Sequence, residues 1–171
     1  QHVEISLALD ISGSMARELT GPEPNRGRRD DRETRLAVMR ATAQDFISLV
    51  LNADTIATTS VTLIPFAGQV NPGLTAFNYL RRTHATNEWR THNYSHCVDF
   101  TTAQMANDDI PATHTLYQTP HFQWFRFEGA YGNEADWGWC PTDGCRIVYF
   151  SNNASALRTA ISTFRGHDGT G

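Results

Sequence analysis

The chain has 171 residues and a formal net charge of −4 at pH 7, which is long enough for one domain with a sizeable core. The acidic balance gives no general affinity for nucleic acid or for an anionic membrane surface. No run of residues reaches the roughly 18 apolar positions that a membrane span requires.

The first predicted element is a strand over Val3–Asp10. Leu7, Ala8 and Leu9 follow one another without a polar residue between them. Such an uninterrupted apolar run is typical of a strand that is covered on both faces. We therefore expect this strand to lie at the centre of a sheet.

Three oxygen-bearing side chains follow this strand at intervals of two residues: Asp10, Ser12 and Ser14. Gly13 lets the backbone turn closely enough for both hydroxyls to face one point. One carboxylate and two hydroxyls are hard donors that suit Mg²⁺, Mn²⁺ or Ca²⁺. The alternative is an ordinary strand-to-helix loop, where serine and aspartate are favoured as caps.

A helix and a second strand come next. Apolar residues recur every three or four positions after the loop 18–31, which predicts a helix over Arg35–Leu51 with Thr34 or Asp31 as its cap. Ser60–Phe66 is a β-branched, apolar strand, and Pro65 favours either a strand end or an edge position. Strand, helix and strand over residues 1–67 predict an α/β sheet with helices on both faces.

Residues 68–145 show no sustained helical or strand period. A stretch this long without clear elements is rarely a plain loop, so we expect an insertion with a small aromatic core of its own. Its aromatic residues include Tyr79, Trp89, Tyr94, Phe100, Phe122, Trp124, Phe125, Phe127, Tyr131, Trp137 and Trp139.

Regular patterning returns over residues 146–171. Arg146–Phe150 is a short apolar strand, and Asn152 or Asn153 can cap a helix over Ala154–Arg165. A glycine-rich turn, Gly166–Gly171, follows that helix. This part is expected to rejoin the sheet of residues 1–67.

Three cysteines, Cys97, Cys140 and Cys145, allow three single disulfides. Cys140 and Cys145 flank a turn sequence that could bring them within bonding range. A bridge between Cys97 and Cys140 would close a longer loop and so stabilise the insertion more. We predict the longer bridge, and with it an extracytoplasmic location.

Catalysis is not expected. Ser14 lacks the Gly-x-Ser-x-Gly pattern of a nucleophile elbow. Asp10 could accept a phosphoryl group, but Ser12 stands where a second carboxylate would be needed. The sequence therefore predicts a binding module that is not an enzyme.

Asp-x-Ser-x-Ser after an apolar strand resembles the metal-ion-dependent adhesion site (MIDAS) of von Willebrand factor A domains. The chain is similar in particular to the A-type domains of bacterial Tad pilus-associated (TadG-like) surface proteins. The segments that carry this similarity are Ile5–Met15, Ile64–Phe66, Val70–Gly73, Asp136–Pro141 and Leu157–Gly171.

The resemblance implies a sandwich with a mainly parallel central sheet, interrupted by the insertion. It implies that Ser12, Ser14 and Thr170 bind a metal directly and that Asp10 binds it through water. Loops at the carboxyl ends of strands meet at one edge of a sheet, so we expect Thr170 beside the Asp10–Ser14 turn. Mg²⁺ is the implied ion, with Mn²⁺ or Ca²⁺ as alternatives.

The family also has later strands and a further aspartate in a Thr-Asp-Gly loop. Thr142–Gly144 is also a Thr-Asp-Gly tripeptide, but it precedes Thr170, so we do not assign Asp143 as the further metal-binding aspartate. We expect the later part of the fold to lie outside this chain, which also leaves room for an anchor before Gln1.

The implied function is metal-dependent adhesion at the cell surface, in the periplasm or after secretion. A protein ligand or pilus component would supply a carboxylate to the metal. The alternative is a structural subunit of a surface fibre that packs through its aromatic insertion without metal-dependent binding.

Overall fold

A computed structural model describes residues 2–16, 34–52, 55–80, 93, 95–100, 102–106, 116–119 and 140–166. The chain divides into two compact units. The first, called here the sheet unit, comprises Gln1–Gly68 and Ile147–Gly171, and the second, called the insertion unit, comprises Gln69–Arg146. No helix within the described ranges is long and apolar enough to cross a membrane.

The described residues include five strands and four α-helices. In order they are β1 (Val3–Asp10), α1 (Arg35–Val50), β2 (Thr59–Phe66), α2 (Gly73–Tyr79), β3 (Val98–Asp99), α3 (Thr102–Met105), β4 (Tyr117–Gln118), β5 (Val148–Ser151) and α4 (Ala154–Thr163). Short 3-10 turns lie at Gly13–Ala16 and Asp143–Cys145.

The sheet unit contains a mixed three-stranded sheet in the order β1-β2-β5. β1 and β2 are parallel over their full length, from Val3 opposite Thr59 to Asp10 opposite Phe66. β5 pairs with β2 in the antiparallel direction. The expected α/β class is therefore confirmed, whereas the described sheet is not mainly parallel.

The prediction that β1 is the central strand is wrong for this sheet. β2 occupies the centre, and β1 forms one edge. The apolar run was misleading because its residues alternate between two environments: Leu9 is buried, whereas Ser6 and Ala8 are exposed. One face of β1 is thus open in the described part of the chain, and helices do not cover both faces there.

Pro65 is the second-to-last residue of β2. The predicted strand end is thus met to within one residue, whereas the alternative of an edge position is wrong, because β2 is the central strand of the described sheet. β2 is central but its last pairing with β5 is Leu63 opposite Val148. Hydrogen bonding alternates along a strand, and Phe66 offers its carbonyl to Ile11 on the β1 side. The missing N–H of Pro65 therefore faces the side where the β5 ladder has already ended, so no ladder hydrogen bond is lost there.

Both long helices begin at the predicted caps. The Thr34 Oγ1 atom accepts from the Ala37 amide at 3.1 Å, and the Asn153 Oδ1 atom accepts from the Ala156 amide at 2.9 Å. Each cap satisfies one backbone donor that the first helical turn leaves without a partner.

α1 and α4 pack against each other, and their apolar stripes meet the sheet in the core of this unit. Fully buried aliphatic side chains of this kind each contribute about 1.5–3 kcal/mol. The most deeply buried are Ile11, Ile47, Val61, Leu63, Leu157, Ile161 and Phe164.

The insertion unit holds short elements that the sequence pattern did not predict. β3 and β4 form a two-stranded antiparallel ladder, with Val98 opposite Gln118. Cys97 and Cys140 form a disulfide with their Cα atoms 5.6 Å apart, so the predicted pairing is confirmed. Cys145 lies outside the disulfide, and its side chain is buried.

Most residues of the expected aromatic core lie outside the described residues. Tyr79 and Phe100, both assigned to it, are 87% and 42% exposed. Phe77 is buried instead, and its ring packs edge-on against His96 with centroids 5.4 Å apart. The other aromatic residues named for this core lie outside the described residues: Trp89, Tyr94, Phe122, Trp124, Phe125, Phe127, Tyr131, Trp137 and Trp139.

Candidate functional site

The turn after β1 brings three of the four predicted site residues together. The Asp10 Oδ1 atom accepts from the Ser12 amide at 2.8 Å, and the Ser12 and Ser14 hydroxyl oxygens lie 3.0 Å apart. Ser12 is only 2% exposed, whereas Asp10 and Ser14 are half-buried. The turn therefore gathers a carboxylate and two hydroxyls where solvent still reaches two of them.

The sheet holds this turn in place. Ile11 continues the ladder beyond β1 by donating its amide to the Phe66 carbonyl at 2.8 Å, and its side chain is completely buried. The Met15 amide then donates to the Ser12 carbonyl at 2.9 Å, which closes the 3-10 turn. Anchoring on one side and a tight turn on the other leave little freedom to the serine backbone.

The spacing of the two hydroxyls fits a small divalent cation. Oxygens bound to Mg²⁺ lie about 2.1 Å from the ion at right angles, which puts neighbouring oxygens about 3.0 Å apart. Ser12 and Ser14 have this separation because their hydroxyls form a hydrogen bond with each other, which a bound cation would replace. Among the described residues the Ser12 amide donates to Oδ1 of Asp10, and Oδ2 could take a water or an ion.

The segment after α4 reaches the same turn. A Cβ atom built on Gly166 would lie 3.5 Å from the Ala16 Cβ atom and 4.0 Å from the Ser12 carbonyl oxygen. Gly166 is thus next to the turn that holds Ser12. Thr170 itself lies outside the described residues, so its expected place beside Ser12 and Ser14 stays a prediction.

Asp143 belongs to a different cluster, which the sequence did not reveal. Its Oδ1 atom accepts from the buried His96 Nδ1 atom at 2.7 Å and from the Asn71 amide at 3.0 Å. The Asn71 amide group also donates to the Pro141 carbonyl at 2.8 Å and accepts from the Gly73 amide at 2.8 Å. These bonds fasten the 140–145 segment, with its disulfide, to two distant stretches of the insertion unit.

A second polar cluster joins Gln69, Asp99 and Thr119. The Thr119 hydroxyl donates to Asp99 Oδ1 at 2.6 Å, and the Gln69 amide donates to the same carboxylate oxygen at 3.0 Å. Two donors share Oδ1 of Asp99, as two share Oδ1 of Asp143. We interpret both clusters as structural, because their hydrogen bonds join distant segments of the insertion unit.

Most metal sites in proteins are built from His, Cys, Asp and Glu side chains. Within the described ranges no group of three or more His, Cys, Asp or Glu side chains could hold a metal ion. The Asp10–Ser14 turn has a different composition, because two of its three donors are hydroxyls.

Comparisons with known proteins do not assign the chain. No family model matches it, and no curated protein sequence matches it.

Proposed function

We propose that this chain is a metal-dependent binding module of the von Willebrand factor A type. Asp10, Ser12, Ser14 and Thr170 would hold Mg²⁺, Mn²⁺ or Ca²⁺, with Asp10 acting through water. The observation that carries the proposal is the 3.0 Å separation of the Ser12 and Ser14 hydroxyl oxygens beside the Asp10 carboxylate.

The chemistry of these donors favours binding over catalysis. Neutral hydroxyls neutralise little of the charge of a divalent cation, so the ion keeps a strong attraction for a further anionic oxygen. A carboxylate side chain of a partner protein could supply that oxygen, and a charge-assisted contact of this kind fixes the orientation of the partner. The proposed ligand is therefore an acidic side chain presented on a protein surface.

The finer architecture also belongs to this proposal. The parallel β1–β2 pair, the antiparallel β5 and a ligand-bearing turn at the carboxyl end of β1 support an A-type sheet. Sites at the carboxyl ends of parallel strands are the general rule in open α/β sheets. The buried disulfide supports an extracytoplasmic location, as expected for a bacterial surface or pilus-associated adhesin.

Removal of the hydroxyls tests the metal site. Ser12→Ala and Ser14→Ala should each weaken Mn²⁺ or Mg²⁺ binding at least about tenfold in calorimetry. Even the loss of a residue that only hydrogen-bonds to a metal ligand has an effect of that size. Ser6→Ala is the matched control, since Ser6 is exposed on the same strand. Unchanged affinity in the double variant would remove the metal-dependent function.

One observation favours a second function, assembly through the insertion unit. Tyr79 and Leu74 on α2 are 87% and 51% exposed, and aromatic side chains are enriched at protein interfaces. We propose that this helix packs against another molecule in a surface assembly. Mass photometry over a wide concentration range tests this: oligomers that Tyr79→Ser dissolves would support it, and a strict monomer would contradict it.

A further inference from the structure

We propose that Arg40 is a positioning residue that holds the segment after α4 against the Asp10–Ser14 turn. Arg40 lies on α1 and touches neither of the two serines that form the proposed metal site. Its guanidinium donates to the backbone carbonyl of Phe164, the residue that ends α4. The inference rests on the proposed function and adds a residue on which the geometry of its site depends.

Three side chains at intervals of four residues on α1 contact α4 and the segment that follows it. Gln44 donates to the Arg158 carbonyl at 2.9 Å, and Arg40 donates to the Phe164 carbonyl. One turn further, the Leu36 Cδ2 atom is 3.9 Å from the Cβ position of Gly166. α4 and the segment after it therefore run antiparallel to α1. This segment reaches the Asp10–Ser14 turn at the amino-terminal end of α1.

The Phe164 carbonyl is a strong acceptor for Arg40. The last carbonyls of a helix have no partner within the helix, and a cation near this end also interacts favourably with the helix dipole. Phe164 has an extended backbone, with φ −62° and ψ 134°, so the chain leaves α4 at this point. A hydrogen bond at the exit residue sets the direction in which the following residues run.

That direction leads to the proposed metal site. Two residues after Phe164, the Cβ position of Gly166 lies 3.5 Å from Ala16 and 4.0 Å from the Ser12 carbonyl. The segment is therefore packed against the backbone of a serine that would bind the metal. Loss of the Arg40 bond should let the backbone from the Phe164 carbonyl to Gly166 shift away from the Asp10–Ser14 turn and loosen the site. The core should stay folded, because the Phe164 side chain is itself buried.

Arg40→Met tests this role with little risk to folding. The Arg40 Nε atom is buried and has no hydrogen-bond partner among the described residues, so an apolar replacement also removes the penalty of a buried unsatisfied donor. The matched control is Gln44→Met, which removes the same kind of bond to α4 one turn further from the site. Arg40→Lys keeps a charged donor and serves as the conservative variant.

Two measurements on the intact protein decide the matter. Hydrogen exchange should become faster in Arg40→Met alone at Phe164, whose amide donates to the Ile161 carbonyl at 3.2 Å. Mn²⁺ binding by calorimetry should weaken about tenfold, the loss expected for one charge-assisted hydrogen bond. Arg40→Lys should restore affinity to within about threefold of the wild type, and Gln44→Met should match the wild type in both measurements.

The possible failures are distinguishable. If Arg40→Met leaves Mn²⁺ affinity unchanged while Ser12→Ala abolishes it, Arg40 does not position the site, although the metal function stands. If the wild type binds no Mn²⁺, the proposed function fails, and the exchange data alone decide whether Arg40 holds the segment. Equal exchange in wild type and Arg40→Met would overturn the inference in either case.

Discussion

Asn71 is a completely buried amide that makes three hydrogen bonds in the insertion unit. Asn71→Ala leaves the Pro141 carbonyl, the Asp143 carboxylate and the Gly73 amide each short of one partner. Unsatisfied buried groups are costly, so we expect a loss of about 3 kcal/mol in the free energy of unfolding. Urea denaturation followed by tryptophan fluorescence measures it, because all four tryptophans fall within residues 69–146.

The exposed Asn93 provides the control for this substitution. Asn93→Ala should change the free energy of unfolding by less than about 0.5 kcal/mol. Equal losses in the two variants would contradict the view that the Asn71 network stabilises the insertion unit. The sequence showed only an asparagine before a proline at this position, since two of its three partners lie 70 and 72 positions away.

Tyr149 gives the chain a pH dependence at the alkaline end. Desolvation of the buried part of the side chain raises the pKa of Tyr149 above its usual value of 10.0, and because the residue is 50% exposed the effect on stability is small. The unfolded chain therefore loses this proton first, so the stability present below pH 10 decreases as the pH rises through the folded-state pKa. Tyr149→Phe removes this titration, and thermal melts should show a smaller alkaline loss than in the wild type. An identical alkaline loss would mean that other groups are responsible.

At the scale of the element, β1 has one paired and one open edge. Val3 and Ile11 donate their amides to β2, and the alternation of the ladder places Ile5 and Leu7 in the same orientation. The amides of Ser6 and Ala8 then face the other edge. We expect hydrogen exchange to be slow at Ile5 and Leu7 and fast at Ser6 and Ala8. Slow exchange at all four would show that another strand pairs with this edge.

The long elements of the sheet unit could be predicted because their patterns are local. β1, α1 and α4 begin at the expected residues, and two of them carry cap residues that the sequence displays. The order of the strands could not be predicted, because neighbours in a sheet are chosen by packing between distant segments. Pro65 shows this well: its place in the central strand depends on where β5 ends.

The short elements of the insertion unit had no such local signal. α2 spans Gly73–Tyr79, and its first residue follows Pro72, which offers no side-chain cap. Gly73 has a positive φ of 79°, and a Cβ atom there would lie 2.7 Å from the Arg146 side chain. These features, together with the Gly73 amide that donates to the Asn71 side chain at 2.8 Å, mark the helix start without any periodicity. Two-residue strands such as β3 and β4 are too short to show any period.

At the scale of the whole molecule, the sequence assigned the disulfide correctly from chain entropy. The Cys97–Cys140 bridge spans 43 residues. Closing a loop of that length removes conformational entropy from the unfolded state and so raises its free energy by about 4 kcal/mol. The candidate site was predicted for the part that lies on one short turn, since Asp10, Ser12 and Ser14 are within five residues of one another. Thr170 depends on the tertiary path of the chain end, so no local pattern could place it.

The last prediction follows from the division of these features between two units. Asp10, Ser12 and Ser14 belong to the sheet unit, whereas both bridged cysteines belong to the insertion unit. A Cys97→Ser/Cys140→Ser variant should lower the stability of the tryptophan-bearing unit by about 4 kcal/mol and leave Mn²⁺ affinity unchanged. The double substitution is needed because a single one would leave Cys145 able to bond with the remaining cysteine.

Ser12→Ala is the reciprocal variant for this experiment. It should weaken Mn²⁺ binding at least about tenfold in calorimetry and leave the tryptophan-monitored transition where it is in the wild type. Both results together would show that metal binding and the disulfide-stabilised insertion are energetically independent. A loss of Mn²⁺ affinity in the cysteine variant would mean the opposite, that the insertion unit must be intact for the Asp10–Ser14 turn to bind metal.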